Sequence, residues 1–397
     1  MSAPGNATGN ATGNATGRRD VDFEVERKRF PVLDERTFLA CQCMGPFPRE
    51  TLDDLDAYRR SLFLRNRVID EWVERLDALR GQFEQLLNAP AGSVMLRDSA
   101  TAAQAAVAAA LAPEPARNRV VLSTGDFHSS RFLWLAQEAR GFAPVQVDAH
   151  GVGGGDGAFL DAIDERTAVV ALSLVSPRTG ALLDVAPVVA RAREVGALVI
   201  VDAYQAVGIV PIDVRAMGAD MVVGGTHKWL GGGGMGLAFA YLEPTLSERL
   251  RPVYPGWIGN AQLLGFGEKF EPAPGALRFQ QGTPAMEPVY TARGGTSWVL
   301  EMGTSALRAR SLLLTGRLLA GARDLGLKLR TPLEPERRGG MVCLDIPDAG
   351  RVVDALETQG IDLDSRPNAG LRMGPHPCVT EEECDRVIAA VARALHL

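Results

Sequence analysis

The sequence predicts an α/β fold: a large domain on a mainly parallel sheet flanked by helices, followed by a smaller α+β domain at the C-terminus. Three observations carry that expectation. Apolar runs of strand length alternate with segments of helical spacing, which is how successive βαβ units read. Two of the runs, Ala197 to Val201 and Ala219 to Val223, end on chemistry-bearing residues, Asp202 and the stretch Gly224-Gly225-Thr226-His227-Lys228. From about Leu327 the order becomes strand, helix, strand, helix, which marks a second core.

The elements follow in order. Residues 1–19 carry a threefold Gly-Asn-Ala-Thr repeat, too small and polar to bury anything, and are expected to be a disordered tail. Asn6, Asn10 and Asn14 match glycosylation sequons, but no secretory signal accompanies them, so they are read as unmodified. Residues 20–50 form an N-terminal arm in which Phe38-Leu39-Ala40 leads into a turn at Cys41-Gln42-Cys43-Met44-Gly45-Pro46. The large domain is expected over 51–285. It opens with two helices between Thr51 and Leu87, then a short strand, Asp98-Ser99-Ala100-Thr101 and an alanine-rich helix to Leu111. Val120 to Ser123 is a strand and Phe127-His128-Ser129-Ser130 starts a helix to Arg140. Ala168 to Val175 is a buried strand ending at Ser176, and Val185 to Gly196 is a helix. A glycine run, Gly231 to Gly234, turns into the strand Gly236 to Leu242. Arg249 to Gln281 is a long loop rich in proline and glycine, and loops of that length are usually functional. The small domain is expected over 286–397. It begins with one long helix or two (Tyr290 to Leu325), then strand Met341 to Ile346, helix Ala349 to Gln359, strand Gly370 to Met373 and helix Glu381 to Leu395.

Composition narrows the function. With 397 residues the chain can build a cleft between two cores. A net charge of -6 with 23% charged residues gives no footprint for nucleic acid. The five cysteines are scattered without zinc spacing, so no metal is expected and the thiols read as reduced. No apolar run reaches the roughly 18 residues a membrane span needs. A cytoplasmic protein is the expectation.

In a parallel sheet the carboxyl ends of strands line the ligand crevice. Asp202 and Lys228 then meet there as one carboxylate and one amine. That pair suits pyridoxal 5'-phosphate (PLP), which needs a lysine for its Schiff base and an acid for its ring nitrogen. The helix start at Ser99-Ala100-Thr101 offers unpaired N–H groups for a phosphate, or is simply an N-cap. An aromatic at Phe127 could stack on a flat ring, or be core. The glycine run is not a Walker loop, because Lys228 precedes it and no Lys-Ser/Thr follows.

At Asp202-Ala-Tyr-Gln205 and Thr226-His-Lys-Trp229 the sequence resembles fold-type I PLP enzymes of the aminotransferase class V superfamily, which includes cysteine desulfurases, isopenicillin N epimerase and kynureninase. Gly256-Trp-Ile-Gly259, Pro272-Ala-Pro-Gly-Ala-Leu-Arg-Phe279 and Gly282-Thr-Pro284 are more similar to the kynureninase branch. The resemblance runs from about Thr37 to the C-terminus. It implies that Lys228 forms the Schiff base and moves protons, that Asp202 keeps the ring nitrogen protonated, and that Gln205 lies near the cofactor's phenolic oxygen. Phe127 matches the ring-stacking position, with His128 the alternative if the register is off by one. Ala100 and Thr101 bind the phosphate, helped by His227, and Ser176 joins the cofactor-binding set. Trp257 and Thr283 reach the neighbouring subunit's phosphate, which implies a homodimer with composite sites. Arg372, in Gly-Leu-Arg-Met-Gly, grips the α-carboxylate of a small-molecule amino-acid substrate or, alternatively, pairs with an acid of the small domain.

Two departures bear on the reaction. The kynureninase arm usually reads Gly-Asn-Ser-Leu-Gly where this chain has Cys41-Gln-Cys-Met-Gly45, and its Tyr-Lys is His227-Lys228 here. A desulfurase needs a cysteine on a mobile loop, whereas Cys343 falls in a strand pattern and Cys378 lies past Arg372. The expected activity is cleavage at or beyond Cβ, as kynureninase-like hydrolysis or C–S β-elimination. The alternative is chemistry confined to Cα: transamination, epimerisation, or decarboxylation with oxidative deamination.

Overall fold

A seven-stranded sheet carries the site. The computed structural model describes residues 21–64, 67–149 and 155–397, so the tail expected over 1–19 lies outside the described residues. The arm contains α1 (Phe23–Arg27), α2 (Val32–Glu35) and β1 (Thr37–Phe38). The two expected helices follow as α3 (Arg49–Ser61) and α4 (Val68–Leu86), and in α4 the buried Leu76, Leu79, Phe83 and Leu86 form one apolar stripe.

The large sheet comprises β2 (Val94–Arg97), β3 (Arg119–Ser123), β4 (Ala143–Val147), β5 (Thr167–Ser173), β6 (Leu198–Asp202), β7 (Met221–Gly225) and β8 (Ala238–Leu242). Their order is β2-β8-β7-β6-β5-β3-β4. Strand β8 runs antiparallel to both its neighbours, β2 and β7, and the remaining pairs are parallel. Between the strands lie α5 (Ala100–Ala110), α6 (His128–Ala136), α7 (Gly157–Ala162), α8 (Ala186–Val195) and α9 (Val214–Met217), with α10 (Pro244–Arg249) after β8. Alternate residues of the central strands feed two apolar clusters: Val121, Val170, Val199 and Val222 on one face, Val120, Val169, Ile200 and Met221 on the other. Burial on both faces explains why these strands read as continuous apolar runs. The sequence expectation missed β4 because an edge strand tolerates Pro144 and the exposed Gln146.

The segment expected as one helix or two is two, α11 (Met286–Met302) and α12 (Thr304–Asp324), separated at Gly303. Next come β9 (Val342–Leu344), α13 (Ala349–Glu357), β10 (Ile361–Asp362), β11 (Asp364–Arg366), β12 (Gly370–Met373) and α14 (Glu381–Ala394). Strands β11-β12-β9 form an antiparallel sheet. Its core draws on Leu314, Leu318, Val342, Leu371 and Val391. Helix α11 packs on α3 and α4 and sends Val289, Tyr290 and Trp298 into the large core, while the second cluster draws on α12 from Leu314 onward.

The arm ties the two cores together. Strand β1 pairs in parallel with β10, Cys41 N–H donates to Gly374 C=O (3.1 Å), and Gly45 N–H donates to His227 C=O (2.8 Å). Among the described residues no helix is long and apolar enough to cross a membrane.

Candidate active site

Strands β6 and β7 are parallel neighbours with Asp202 in register with Val223, so Asp202 and the Thr226-His227-Lys228 turn emerge side by side. Asp202, His227 and Lys228 line a cavity of about 310 Å³ together with Ala100, Thr101, Phe127, Tyr204 and Gln205. Asp202 is buried. Its Oδ1 accepts from Tyr204 N–H (2.9 Å) and its Oδ2 from the Ser130 hydroxyl (3.1 Å). Burial pushes its carboxyl above the usual range, against the opposing pull of those donors and of Lys228. The Lys228 amine is driven down to about 8, chiefly by burial, with Asp202 acting in the opposite direction. Two rings flank it: the ammonium nitrogen lies 4.6 Å from the Tyr204 centroid and 5.7 Å from that of Phe127.

The backbone is shaped to allow this. A Cβ on Gly225 would stand 1.9 Å from Tyr204 Cζ, so glycine at the end of β7 is what lets the tyrosine ring lie across the strand. A Cβ on Gly45 would stand 2.0 Å from the Lys228 carbonyl oxygen, which shows how closely the arm rests on the lysine. His227 Nδ1 is hydrogen-bonded to Tyr204 Oη (3.1 Å), and burial followed by the charge of Lys228 lowers its pKa, favouring neutral imidazole. Gln205 donates Nε2 to Gln42 C=O (2.9 Å) and accepts from Trp229 Nε1 (3.1 Å), which fixes the amide between arm and strand end.

A second chamber of about 580 Å³ opens from the same residues, sharing Phe127, Pro177, Gln205, His227 and Lys228 with the first. Its outer wall includes Cys43, Arg178, Arg366 and Arg372. Arg372 is buried, with Nε and Nη2 donating to the two Asp364 oxygens (2.6 and 2.5 Å) and Nη1 to Pro177 C=O (2.8 Å). Burial works against the charge of Asp364, but Arg372, Arg366 and Gln42 outweigh it and hold the carboxyl below its ordinary value. A guanidinium has five N–H groups. Three are used here, leaving one on each Nη.

The structure thus brings Lys228, Asp202, His227, Ala100, Thr101, Phe127 and Gln205 into one cavity and sets Arg372 in the adjoining chamber. Of the two candidate stackers, Phe127 lines both spaces while His128 lines only the outer one. Arg372 does pair with a small-domain acid, as the alternative had it, yet keeps donors to spare. Ser176 is not among the residues that line the cavity. Its hydroxyl accepts the N–H groups of Arg178 and Thr179 (both 3.2 Å), closing the turn after β5, and Ser173, Val175 and Pro177 line the cavity in its place. Trp257 and Thr283 are not brought to Lys228 within one chain; they line a separate groove with Phe266, which is 96% exposed. Sequence reasoning missed Ser130, Tyr204 and Asp364. The first two sit inside motifs that were already singled out. Asp364 could have been found from the hairpin turn Pro367-Asn368-Ala369-Gly370, which places it opposite Arg372.

The donor set fits PLP. A buried carboxylate held above its usual range wants a cationic partner, a depressed amine is ready to attack an aldehyde, a helix start faces the same cavity, and an aromatic ring forms one wall. Fold and cavity together define a PLP-dependent enzyme of fold type I. The chain belongs to the aminotransferase class-V family, whose model matches residues 65–388. It is 31% identical over 342 residues to a kynureninase of Deinococcus radiodurans, covering 85% of this chain and 82% of that one. It is 28% identical over 382 residues to the uncharacterized aminotransferase YcbU of Bacillus subtilis, covering 93% and 97%. Among solved structures it is similar to a cysteine desulfurase from Thermococcus onnurineus NA1 (TM-score 0.81, 18% identity, 94% of this chain and 98% of that one). It is also similar to the cystine C–S lyase C-DES in complex with cysteine persulfide (TM-score 0.81, 21% identity, 91% and 99%). At those identities the structural likeness shows the fold.

Proposed function

We propose that this enzyme binds an α-amino acid and cleaves a bond at or beyond Cβ, by kynureninase-like hydrolysis or C–S β-elimination. The observation that carries the reading is the pair of adjoining spaces with Lys228 on their shared wall: one suits the cofactor, the other a substrate held by its carboxylate. Bound in the first, PLP supplies an electron sink for the pair left when a bond at Cα breaks. Everything else falls to the chain. Ala100 and Thr101, at the start of α5, would hold the phosphate, and Asp202, steadied by Ser130 and Tyr204 N–H, would partner the ring nitrogen. Phe127 would cover the ring, and Gln205 would serve the phenolic oxygen. Arg372 offers its two remaining N–H groups to the α-carboxylate, a bidentate task suited to guanidinium. The Lys228 amine, neutral over more of the pH range than an exposed lysine, takes the proton from Cα and returns it.

Two of the cysteines, Cys343 and Cys378, do not suit a desulfurase nucleophile. Burial drives the Cys343 and Cys378 thiols up to about 12, far from a reactive thiolate. The YcbU similarity favours the second reading, chemistry confined to Cα. Incubation with kynurenine, cysteine conjugates and unmodified amino acids, followed by mass spectrometry, separates them. Anthranilate supports the hydrolase, pyruvate with a released thiol the lyase, and a 2-oxo acid with its side chain retained the second reading. We further infer a cytoplasmic homodimer in which Trp257 and Thr283 complete the partner's phosphate site. Within each subunit the large domain would span 51–285 and the small one 286–397, with α11 braced on the large core.

A further inference from the structure

We propose that the preferred substrate carries a second anionic group at the end of its side chain, a carboxylate or a comparable oxyanion, held by Arg178 with Arg131 adding to the field. This rests on the reading above, in which Arg372 takes the α-carboxylate. Four guanidiniums line the outer chamber: Arg131, Arg178, Arg366 and Arg372. Arg366 and Arg372 share one carboxylate, Asp364. Among the described residues Arg178 and Arg131 have none. Arg178 donates Nε and Nη2 only to the Asn368 carbonyl oxygen (3.4 and 3.3 Å), and Arg131 donates only to Gln146 Oε1 (3.3 and 2.9 Å). Both acceptors are neutral, so they orient the two cations without cancelling their charge.

Among the described residues one carboxylate, Asp126, lies in the chamber wall. Its two oxygens accept backbone N–H groups from Ser173 and Ser123 (both 2.8 Å), so with Asp364 two negative charges stand against the four guanidiniums and positive charge remains in excess. A neutral side chain would leave the excess positive charge of the chamber wall unpaired, whereas a negative group is drawn towards it. The chamber's 580 Å³ accommodates a side chain several bonds long. Arg178 follows β5 in the large domain, while Asn368, which orients it, lies in the small-domain hairpin, so both cores shape this end of the chamber.

The test is binding to the PLP-loaded enzyme, read from the change in cofactor absorbance on titration. The probes are matched pairs: L-aspartate with L-asparagine, L-glutamate with L-glutamine, and L-2-aminoadipate with L-norleucine. At least one acid should bind about tenfold or more tighter than its neutral partner, the scale of a hydrogen bond to a charged group, and the preference should shrink as salt rises. In Arg178→Gln the preference should fall towards unity while the neutral amino acids bind as before, and Arg178→Lys should restore part of it. Equal affinities within every pair in the unmodified enzyme overturn the inference, as does an Arg178→Gln variant that weakens acidic and neutral partners alike. A protein that shows no cofactor absorbance and no response to any amino acid overturns the PLP reading itself, and this inference with it.

Discussion

Asp364 and Arg372 stand directly opposite each other across the β11–β12 hairpin and close a two-pronged salt bridge. The arginine assigned to the substrate's carboxylate is therefore held in place before any substrate arrives, with its charge shared. Asp364 acts through Arg372 and is a positioning residue. In Asp364→Asn the KM for the amino acid should rise about tenfold, the scale of one charge-assisted hydrogen bond, while kcat and cofactor absorbance stay near their original values. Steady-state kinetics checks this, and an unchanged KM contradicts it. Asp364→Ala, which strands a buried guanidinium, should also cost about 3–5 kcal/mol in urea unfolding.

Lys228 should load its cofactor at lower pH than an exposed lysine. Burial lowers its pKa from 10.5 to about 8, so the neutral, reactive amine builds up as pH rises through that value. The rate of PLP reloading into stripped enzyme, followed by absorbance, should reach half its maximum near pH 8. Asp202 pulls the amine's pKa upward, so Asp202→Asn should shift that midpoint lower. A midpoint near 10.5 would contradict the buried environment.

Acid should destabilise the fold through His376. Its ring lies 4.3 Å from the Phe30 ring centroid and stacks on Trp298 at 5.2 Å, and Nδ1 accepts from Cys378 N–H (3.3 Å). Burial, then the nearby Arg27 charge, depress its pKa from 6.5 to about 3. The unfolded chain then binds a proton that the folded one refuses. Stability is full above pH 6.5 and falls by about 1.4 kcal/mol per pH unit from this one group as pH drops towards 3. Urea unfolding across that range should show the slope, and His376→Asn, though less stable at neutrality, should lose it.

If Trp257 and Thr283 serve a partner's site, two inactive variants should complement each other. Lys228→Ala and Trp257→Ala chains, each of low activity alone, should regain activity when co-expressed, because one of the two mixed sites has every residue intact. Activity no greater than that of either variant alone would place Trp257 outside the composite site.

The central sheet and its two functional strand ends were legible because strands buried on both faces read as apolar runs, and because the change from valines to Asp202 or Lys228 is abrupt. What stayed hidden depends on pairing rather than local pattern. Strand β4 carries Pro144 at a sheet edge, α11 belongs to the large core by packing alone, and Asp364 meets Arg372 only once the hairpin register is set. Ser176 shows the same limit: only the folded turn reveals that its hydroxyl accepts the N–H groups of Arg178 and Thr179.

The central claim is that Lys228 holds the cofactor. Borohydride reduction of the PLP-loaded enzyme, followed by proteolysis and mass spectrometry, tests it most directly. A pyridoxyl-phosphate adduct is expected on the peptide containing Lys228, absent from Lys228→Ala. An adduct on another lysine, or no adduct on a protein that retains its cofactor absorbance, would contradict it.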